Sequence, residues 1–220
     1  LKGDGVLPSG VVGAYGQPII RQGEMTIAQF LKNQGYDTAA FGKWHLGAQW
    51  YNQQGVPYTG NSQAIADPSK IDLVRRVEGH AIDQGFDHFY GLAATINEPP
   101  YVAVVDDHVY YDGAPATTNS LWVKILGSSL TGGSAAPNGV GDPNFTNNNY
   151  IVRQMLCGPD MITNAVKYLT ARNTNSPPFF AYVALYSPHL PLMVLPQYVG
   201  SSGINPFPYG DYIHQSDYLI

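Results

Sequence analysis

Charged residues, cysteine and long apolar runs are all scarce in these 220 residues. Asp, Glu, Lys and Arg make up 12% of the chain, about half of the ~25% usual in globular proteins, which argues against a solvated disordered tail. The net charge is −5 and no basic cluster occurs, so nucleic acid is not an expected partner. One cysteine, Cys157, excludes an internal disulfide. The longest strong apolar run, 179–185, falls well short of the ~18 residues that a membrane span needs.

Glycine and proline are abundant instead. The chain holds 24 Gly and 17 Pro, above the average share of these two residues, so much of its length is predicted to form turns and loops. The segments 49–81 and 113–149 are the longest of these. Apolar residues make up 44%, enough to bury a sizeable core. Long loops on a rigid scaffold are where functional sites tend to be built.

The first periodic segment predicts a helix followed by a strand. Ile27, Phe30 and Leu31 recur at i, i+3 and i+4, which is typical of an amphipathic helix, here over 26–34. A short, mostly apolar run over 36–41 follows and is predicted to be a strand.

A second helix and strand are predicted later in the chain. Pro159 suits the first residue of a helix that ends near Arg172. The uncharged run 179–186 predicts a strand buried on both faces, as in parallel sheets. The repeated alternation of helix and strand indicates an α/β fold with a mostly parallel sheet between helices and long loops.

Weaker patterns lie between these units. The runs 101–105 and 109–111 predict a hairpin around Asp106 and Asp107, adjacent aspartates being typical of turns; a metal pair is the alternative. A short helix is predicted near 73–77. Four histidines lack the spacing of a zinc site and are interpreted as surface or structural residues: His80, His88, His108 and His214.

Proton-active residues follow both main strands. Lys43 and His45 come after the first strand, and Ser187 and His189 after the second. In open α/β sheets, ligands bind outside the carboxyl ends of strands. Lys43 and His45 are two residues apart, so in extended backbone they project to the same side and offer a positive charge and N–H donors to an oxyanion such as sulfate or phosphate. Each loop alone could be a solvated turn, and His189 a structural histidine, but their joint occurrence favours a site.

Several segments resemble one family, the formylglycine-dependent sulfatases. Residues 35–47, GYDTAAFGKWHLG, closely resemble its second signature, with Phe41 where a smaller residue is usual. Three further segments are similar to its connecting piece, its strand-then-histidine segment and the helix before its Asp-Asn-Gly motif: 85–91, 178–191, and 209–212 with Asp217. The resemblance extends in order from about residue 22 to the end and is weakest over 113–149.

The resemblance implies an alkaline-phosphatase-like fold and hydrolysis of sulfate monoesters. In that family a Cys or Ser in a Cys/Ser-x-Pro-x-Arg motif becomes formylglycine, whose hydrate attacks sulfur beside a divalent cation, usually calcium. Lys43 and His45 correspond to the pair that holds the formylglycine hydroxyl and the sulfate. His189 corresponds to the histidine at the bridging oxygen, a candidate general acid. Thr95 falls where many members carry a serine at the site.

Other parts of that site are expected outside this chain. By resemblance, residues 1–220 are the middle part of a sulfatase catalytic domain, with the nucleophile motif and first metal-ligand aspartates before residue 1 and the Asp-Asn-Gly ligands after residue 220. Cys157 imitates the nucleophile motif, but Asp160 and Met161 stand where x-Arg is required; it is predicted to be a helix-start thiol without a catalytic role. Calcium and formylglycine are therefore expected in the intact enzyme, and the 220 residues alone are expected to be inactive.

The expected partner is a sulfated small molecule or a sulfated glycan. The family implies an extracellular, periplasmic or lysosomal location. Two alternatives remain open: a phosphonate or phosphodiester hydrolase of the same superfamily, and a non-catalytic member that binds sulfated glycans. The natural substrate, endo or exo action and oligomeric state do not follow from the sequence.

Overall fold

The structure, a computed structural model, describes residues 12–59, 71–96, 103–111, 114–115, 149–190, 192–204 and 208–220. Within these ranges the elements follow in the order α1 (Ile27–Asn33), β1 (Asp37–Lys43), β2 (His88–Leu92), β3 (Ala103–Val105), β4 (His108–Tyr111), β5 (Ala114–Pro115), α2 (Asn149–Thr170), β6 (Phe179–Ala184) and α3 (Pro208–Leu219). Two 3₁₀ helices, Ala81–Gln84 and Pro196–Tyr198, precede β2 and α3.

The strands form one mixed sheet in the order β5-β4-β3-β2-β1-β6. β1 lies between β2 and β6 and runs parallel to both, which is the parallel core that the helix–strand alternation predicts. The strands β2 to β5 are joined by antiparallel pairing. Asp106 and Asp107 form the turn between β3 and β4, so the predicted hairpin is confirmed.

Helices cover both faces of the parallel core. Ala40 of β1 packs in one apolar cluster with Ala28 of α1. Its neighbours Ala39 and Phe41 pack in a second cluster with Met161 of α2. Because successive strand residues point to opposite faces, α1 and α2 lie on opposite sides of the sheet. No helix in the described ranges has the length and apolar character needed to cross a membrane.

The first predicted helix is confirmed, and its boundaries have local causes. The Thr26 hydroxyl caps α1 by accepting the Gln29 amide at 3.0 Å, which satisfies a backbone donor that the helix itself leaves free. The helix ends at Asn33 with Gln34 as its C-cap, and Gly35 follows with φ of 86°, a left-handed conformation that glycine adopts without a steric penalty.

The second predicted helix begins ten residues too late. α2 starts at Asn149, so Pro159 lies inside the helix and not at its first residue. Proline in a helix interior removes one backbone hydrogen bond and costs ~3 kcal/mol, which is why the sequence predicts a helix start there. In the sequence, apolar residues such as Ile151 and Met155 continue the helical spacing upstream of Pro159. Cys157 therefore lies within the helix; its side chain is outside the described part of the structure.

The strand 179–186 was predicted to be buried on both faces, and this is wrong. β6 ends at Ala184, pairs with β1, and has no second strand beside it among the described residues. Phe179, Tyr182 and Val183 are 45%, 49% and 41% exposed. An uncharged run indicates affinity for apolar surroundings but carries no information on how many neighbouring strands are present.

The predicted helix near 73–77 is also wrong, because these residues form a turn. The Asp72 carboxylate accepts the Val74 amide at 3.1 Å. Such a bond offers the backbone an alternative to the helical pattern. The apolar side chains of Leu73 and Val77 are buried in the same cluster as Trp44, which explains their helix-like spacing.

Candidate active site

Lys43, His45 and Thr95 follow the carboxyl ends of two paired strands. Lys43 is the last residue of β1 and pairs with Leu92, the last residue of β2. The segments that follow the two strands remain hydrogen-bonded to each other, since the His45 amide donates to the Ala93 carbonyl at 2.9 Å. Thr95 is two residues further along that second chain. The structure therefore brings these three predicted residues to one edge of the sheet.

His189 reaches the same edge from β6. Gly42 pairs with Ala184, the last residue of β6, and His189 lies five residues beyond it in a turn closed by its amide and the Tyr186 carbonyl at 3.1 Å. The His189 Nδ1 lies 2.5 Å from the Leu190 carbonyl oxygen. Because a carbonyl can only accept, Nδ1 carries a hydrogen and Nε2 is left for other partners. The side chain is exposed.

Two glycines allow the three strand ends to approach closely. Gly42 has φ of 103°, and a Cβ there would lie 2.0 Å from the Ala184 carbonyl oxygen. A Cβ at Gly91 would lie 1.8 Å from the Gly42 carbonyl oxygen. Both obstacles are main-chain atoms, which cannot rotate away. The residues flanking Lys43 are therefore packed backbone against backbone.

His45 has an unusual backbone conformation that its neighbour holds in place. Its φ is 57°, a left-handed conformation that costs an L-residue roughly 1–2 kcal/mol. Trp44 is 7% exposed, donates from Nε1 to the Gly47 carbonyl at 2.9 Å, and meets the rings of Phe86 and Phe89 edge-on. This buried anchor offsets the backbone strain, and strain of this kind is often found where a side chain must be directed into a site.

Thr95 lies at this edge but below the surface. It is 1% exposed, and its hydroxyl has no hydrogen-bond partner among the described residues. An unsatisfied buried hydroxyl costs about 1–3 kcal/mol. The Thr95 hydroxyl is thus able to donate to, or accept from, a group that comes from outside the described residues.

Two polar residues on α3, Gln215 and Ser216, contact the segment that carries His189. Neither belongs to a motif that the sequence suggests. The signal that could have found Gln215 is its burial: it is 2% exposed, on the same side of the helix as buried Tyr212. A glutamine at a core-facing helical position requires hydrogen-bond partners.

The Asp106–Asp107 pair forms a turn rather than a metal site. The Asp107 carboxylate binds Arg76 at 2.7 Å and His108 at 2.6 Å. Partial burial raises the pKa of Asp107, but Arg76 and His108 together lower it by more, so the pKa lies below its usual value. Asp106 accepts the Phe89 amide at 3.1 Å. Within the described ranges no group of three or more His, Cys, Asp or Glu side chains could hold a metal, so these residues alone do not fit a calcium site.

Comparison with known proteins gives one consistent family. The family model described as Sulfatase matches residues 4–218. The N-acetylgalactosamine-6-O-sulfatase of Bacteroides thetaiotaomicron is 26% identical over 96% of this chain and 41% of its own length. The steryl-sulfatase of Homo sapiens is 36% identical over 33% of this chain and 9% of its own length.

Solved structures agree on the fold. A sulfatase from work on the metabolism of multiple glycosaminoglycans by Bacteroides thetaiotaomicron superimposes with a TM-score of 0.63 at 21% identity, covering 96% of this chain and 43% of the solved one. The PsFucS1 sulfatase from Pseudoalteromonas sp. has a TM-score of 0.50 at 14% identity, covering 92% and 36%.

These likenesses confirm the expected α/β fold class, part of an alkaline-phosphatase-like domain with helices on both faces of the sheet. The sheet is mixed and not mostly parallel, since two of its described strand pairings are parallel and three are antiparallel. The chain spans about 41% of the N-acetylgalactosamine-6-O-sulfatase and 43% of the solved Bacteroides sulfatase. The family model, by contrast, matches it almost from end to end, from residue 4 to residue 218. Because the Sulfatase family model matches nearly the whole chain, the chain belongs to the sulfatase family.

Proposed function

We propose that the protein containing this chain hydrolyses sulfate monoesters. One observation carries the proposal: Lys43, His45, Thr95 and His189 follow the carboxyl ends of three adjacent strands in a chain of the sulfatase family. A sulfate ester is an anion, and further negative charge develops on the leaving oxygen as the S–O bond breaks. Cationic donors and a proton donor placed at one edge lower that barrier.

The role proposed for each side chain is the one that the resemblance to sulfatases implies. The Lys43 ammonium and the His45 ring donate to the non-bridging sulfate oxygens and hold the anion. His189 acts at the leaving group. With Nδ1 engaged by the Leu190 carbonyl, the imidazolium delivers its proton from Nε2 to the leaving alcohol as the S–O bond breaks. The buried Thr95 hydroxyl supplies one more hydrogen bond at the edge of the site.

The rest of the machinery is assigned to segments outside these residues. The proposal is supported by the family and by the 41% share of the relative's length that the chain spans. If present in the intact protein, formylglycine would supply the nucleophile, and calcium held by oxygen ligands would supply positive charge. Residues 1–220 are accordingly part of a catalytic domain and are expected to be inactive alone. The family favours an extracellular, periplasmic or lysosomal location.

A sulfated glycan is the proposed substrate class. The relative that matches 96% of this chain is an N-acetylgalactosamine-6-O-sulfatase, whereas the steryl-sulfatase matches 33% of it. Assay of the full-length protein on N-acetylgalactosamine 6-sulfate and on a steroid sulfate tests this choice. Faster release of sulfate from the sugar supports it, and faster release from the steroid contradicts it.

The activity itself is tested with a matched pair of esters. The full-length protein is expected to hydrolyse 4-nitrophenyl sulfate with a higher kcat/KM than 4-nitrophenyl phosphate, which has the same leaving group. A preference for the phosphate ester would contradict the proposal and favour a phosphonate or phosphodiester hydrolase. Binding of a sulfated glycan with no hydrolysis of any sulfate ester would contradict it in favour of a binding protein.

A further inference from the structure

α3 holds the chain on the strand side of His189. The Ser187 and Ser216 hydroxyl oxygens lie 2.5 Å apart, and Ser216 Oγ lies 2.6 Å from the Tyr212 carbonyl oxygen. A serine hydroxyl has one proton to donate. Ser216 therefore donates to the carbonyl of its own helix and accepts from Ser187, two residues before His189.

α3 also holds the chain on the other side of His189. The Gln215 Oε1 accepts the Leu195 amide at 2.7 Å, and its Nε2 donates to the Met193 carbonyl at 3.3 Å. Gln215 is 2% exposed, so both bonds are shielded from water. A single side chain thus fixes a donor and an acceptor of the backbone that follows His189.

Apolar packing accompanies these hydrogen bonds, because Leu192, Met193 and Val194 are buried in one cluster with Met161 of α2 and Tyr212 of α3. A small cleft remains beside this packing: Ser187 and Met193 line it from one side, Gly158 and Met161 from the other, and Gln215 borders it. Leu190, next to His189, is 65% exposed. These packed residues lie three to five positions after His189, so the exposed tip that carries His189 is held between the Ser187 and Gln215 attachments to α3.

We propose that Gln215 is a positioning residue for His189, with Ser216 as its partner on the strand side. This inference rests on the proposed function, in which His189 Nε2 protonates the leaving oxygen. Proton transfer requires hydrogen-bond distance between donor and acceptor, and a displacement of about 1 Å can cost on the order of a hundredfold in rate. Gln215 keeps His189 within that distance without touching the substrate.

The dependence of rate on the leaving group separates this role from general stability. Departure of a poor leaving group depends more on protonation than departure of a good one. Loss of the proton donor therefore slows the hydrolysis of phenyl sulfate more than that of 4-nitrophenyl sulfate. The leaving phenol of phenyl sulfate resembles the tyrosine side chain, with a pKa of about 10, and nitrophenol is more acidic. Loss of folded protein would slow both esters equally.

The test compares variants of the full-length protein on these two esters. Gln215→Met retains the volume and loses both hydrogen bonds; it should reduce kcat/KM for phenyl sulfate at least tenfold more than for 4-nitrophenyl sulfate. Gln215→Glu, which keeps an acceptor for the Leu195 amide, should recover part of the difference. Asp211→Asn is the matched control, because Asp211 is buried one turn earlier on α3 but binds Gly200 and Ser202; it should leave the ratio unchanged.

Every outcome bears on the inference. An equal loss on both esters in Gln215→Met, or no loss, overturns the role of Gln215 while leaving the sulfatase proposal intact. If Gln215→Met does not fold, Ser216→Ala removes the other attachment and should shift the ratio in the same direction; an unchanged ratio there overturns the inference. Failure of the wild-type protein to hydrolyse either ester would refute the proposed function and, with it, the role of Gln215.

Discussion

Acid should destabilise this protein through His80, a histidine buried where a proton is costly to accept. It is 2% exposed and lies edge-on to the Phe89 ring at 5.4 Å between centroids. Its ring hydrogen-bonds to the backbone of Val77, while Nε2 has no hydrogen-bond partner among the described residues. A protonated ring would therefore place an unsolvated N–H in the core beside β2.

The free-energy change follows from the pKa of His80 in the folded and unfolded states. The pKa of His80 is lowered from 6.5 to about 4, chiefly by burial. Arg76 also lowers this pKa, and together they outweigh Asp83 and Asp107, which raise it. Below pH 6.5 His80 binds a proton in the unfolded chain but remains neutral in the folded protein. The free energy of unfolding therefore falls as the pH drops from 6.5 towards 4. At ~1.36 kcal/mol per pKa unit, lowering the pH from 7.5 to 4.5 should cost about 2.5 kcal/mol through His80.

Urea unfolding of the intact protein at these two pH values measures the effect. His80→Asn keeps a short polar side chain near Val77 and removes the titrating ring. Groups away from His80 titrate alike in the two proteins, so wild type should lose about 2.5 kcal/mol more than His80→Asn on acidification. Equal losses in the two proteins would refute the reasoning and show that folding does not lower the pKa of His80.

Two further predictions concern the sheet. Gly91→Ala places a Cβ 1.8 Å from the Gly42 carbonyl oxygen and should cost more than about 3 kcal/mol, whereas Gly158→Ala meets only a Leu219 methyl at 3.5 Å and should gain up to ~1 kcal/mol in α2. In thermal unfolding, Gly91→Ala should lower the Tm and Gly158→Ala should raise it. Tm shifts of the same sign in both variants would contradict the packing described. Asp87→Ala removes the acceptor for the Thr38 amide and hydroxyl at 3.0 and 2.9 Å and should lower the free energy of unfolding by about 1–3 kcal/mol; an unchanged urea midpoint would contradict this.

Elements with local causes could be predicted from the sequence. The cap at Thr26 and the glycine at 35 lie beside the residues they terminate, so α1 and β1 were predicted to within two residues. The β3–β4 hairpin is defined by its own turn residues. The start of α2 was missed because Pro159 lies inside the helix and not at its first residue. The exposure of β6 was missed because it depends on which strands assemble around β6.

The same distinction applies to the site. Lys43, His45 and His189 could be selected because each lies within four residues of the end of a strand predicted from the sequence, and their roles remain predictions. Gln215 could not be selected, since its bonds to Met193 and Leu195 exist only once α3 has docked against a segment some 20 residues away. Positioning contacts of this kind depend on tertiary structure and leave no motif.

The central claim is that the edge formed by the ends of β1, β2 and β6 is a sulfate-ester hydrolysing site. The most direct test is the kcat of the full-length protein on 4-nitrophenyl sulfate in Lys43→Ala and His189→Ala, with Lys167→Ala, an exposed lysine in the last turn of α2, as control. Lys43→Ala and His189→Ala should remain folded and lose about 10²-fold or more in kcat, while the control retains wild-type turnover. Near-wild-type turnover in Lys43→Ala or His189→Ala would contradict the claim.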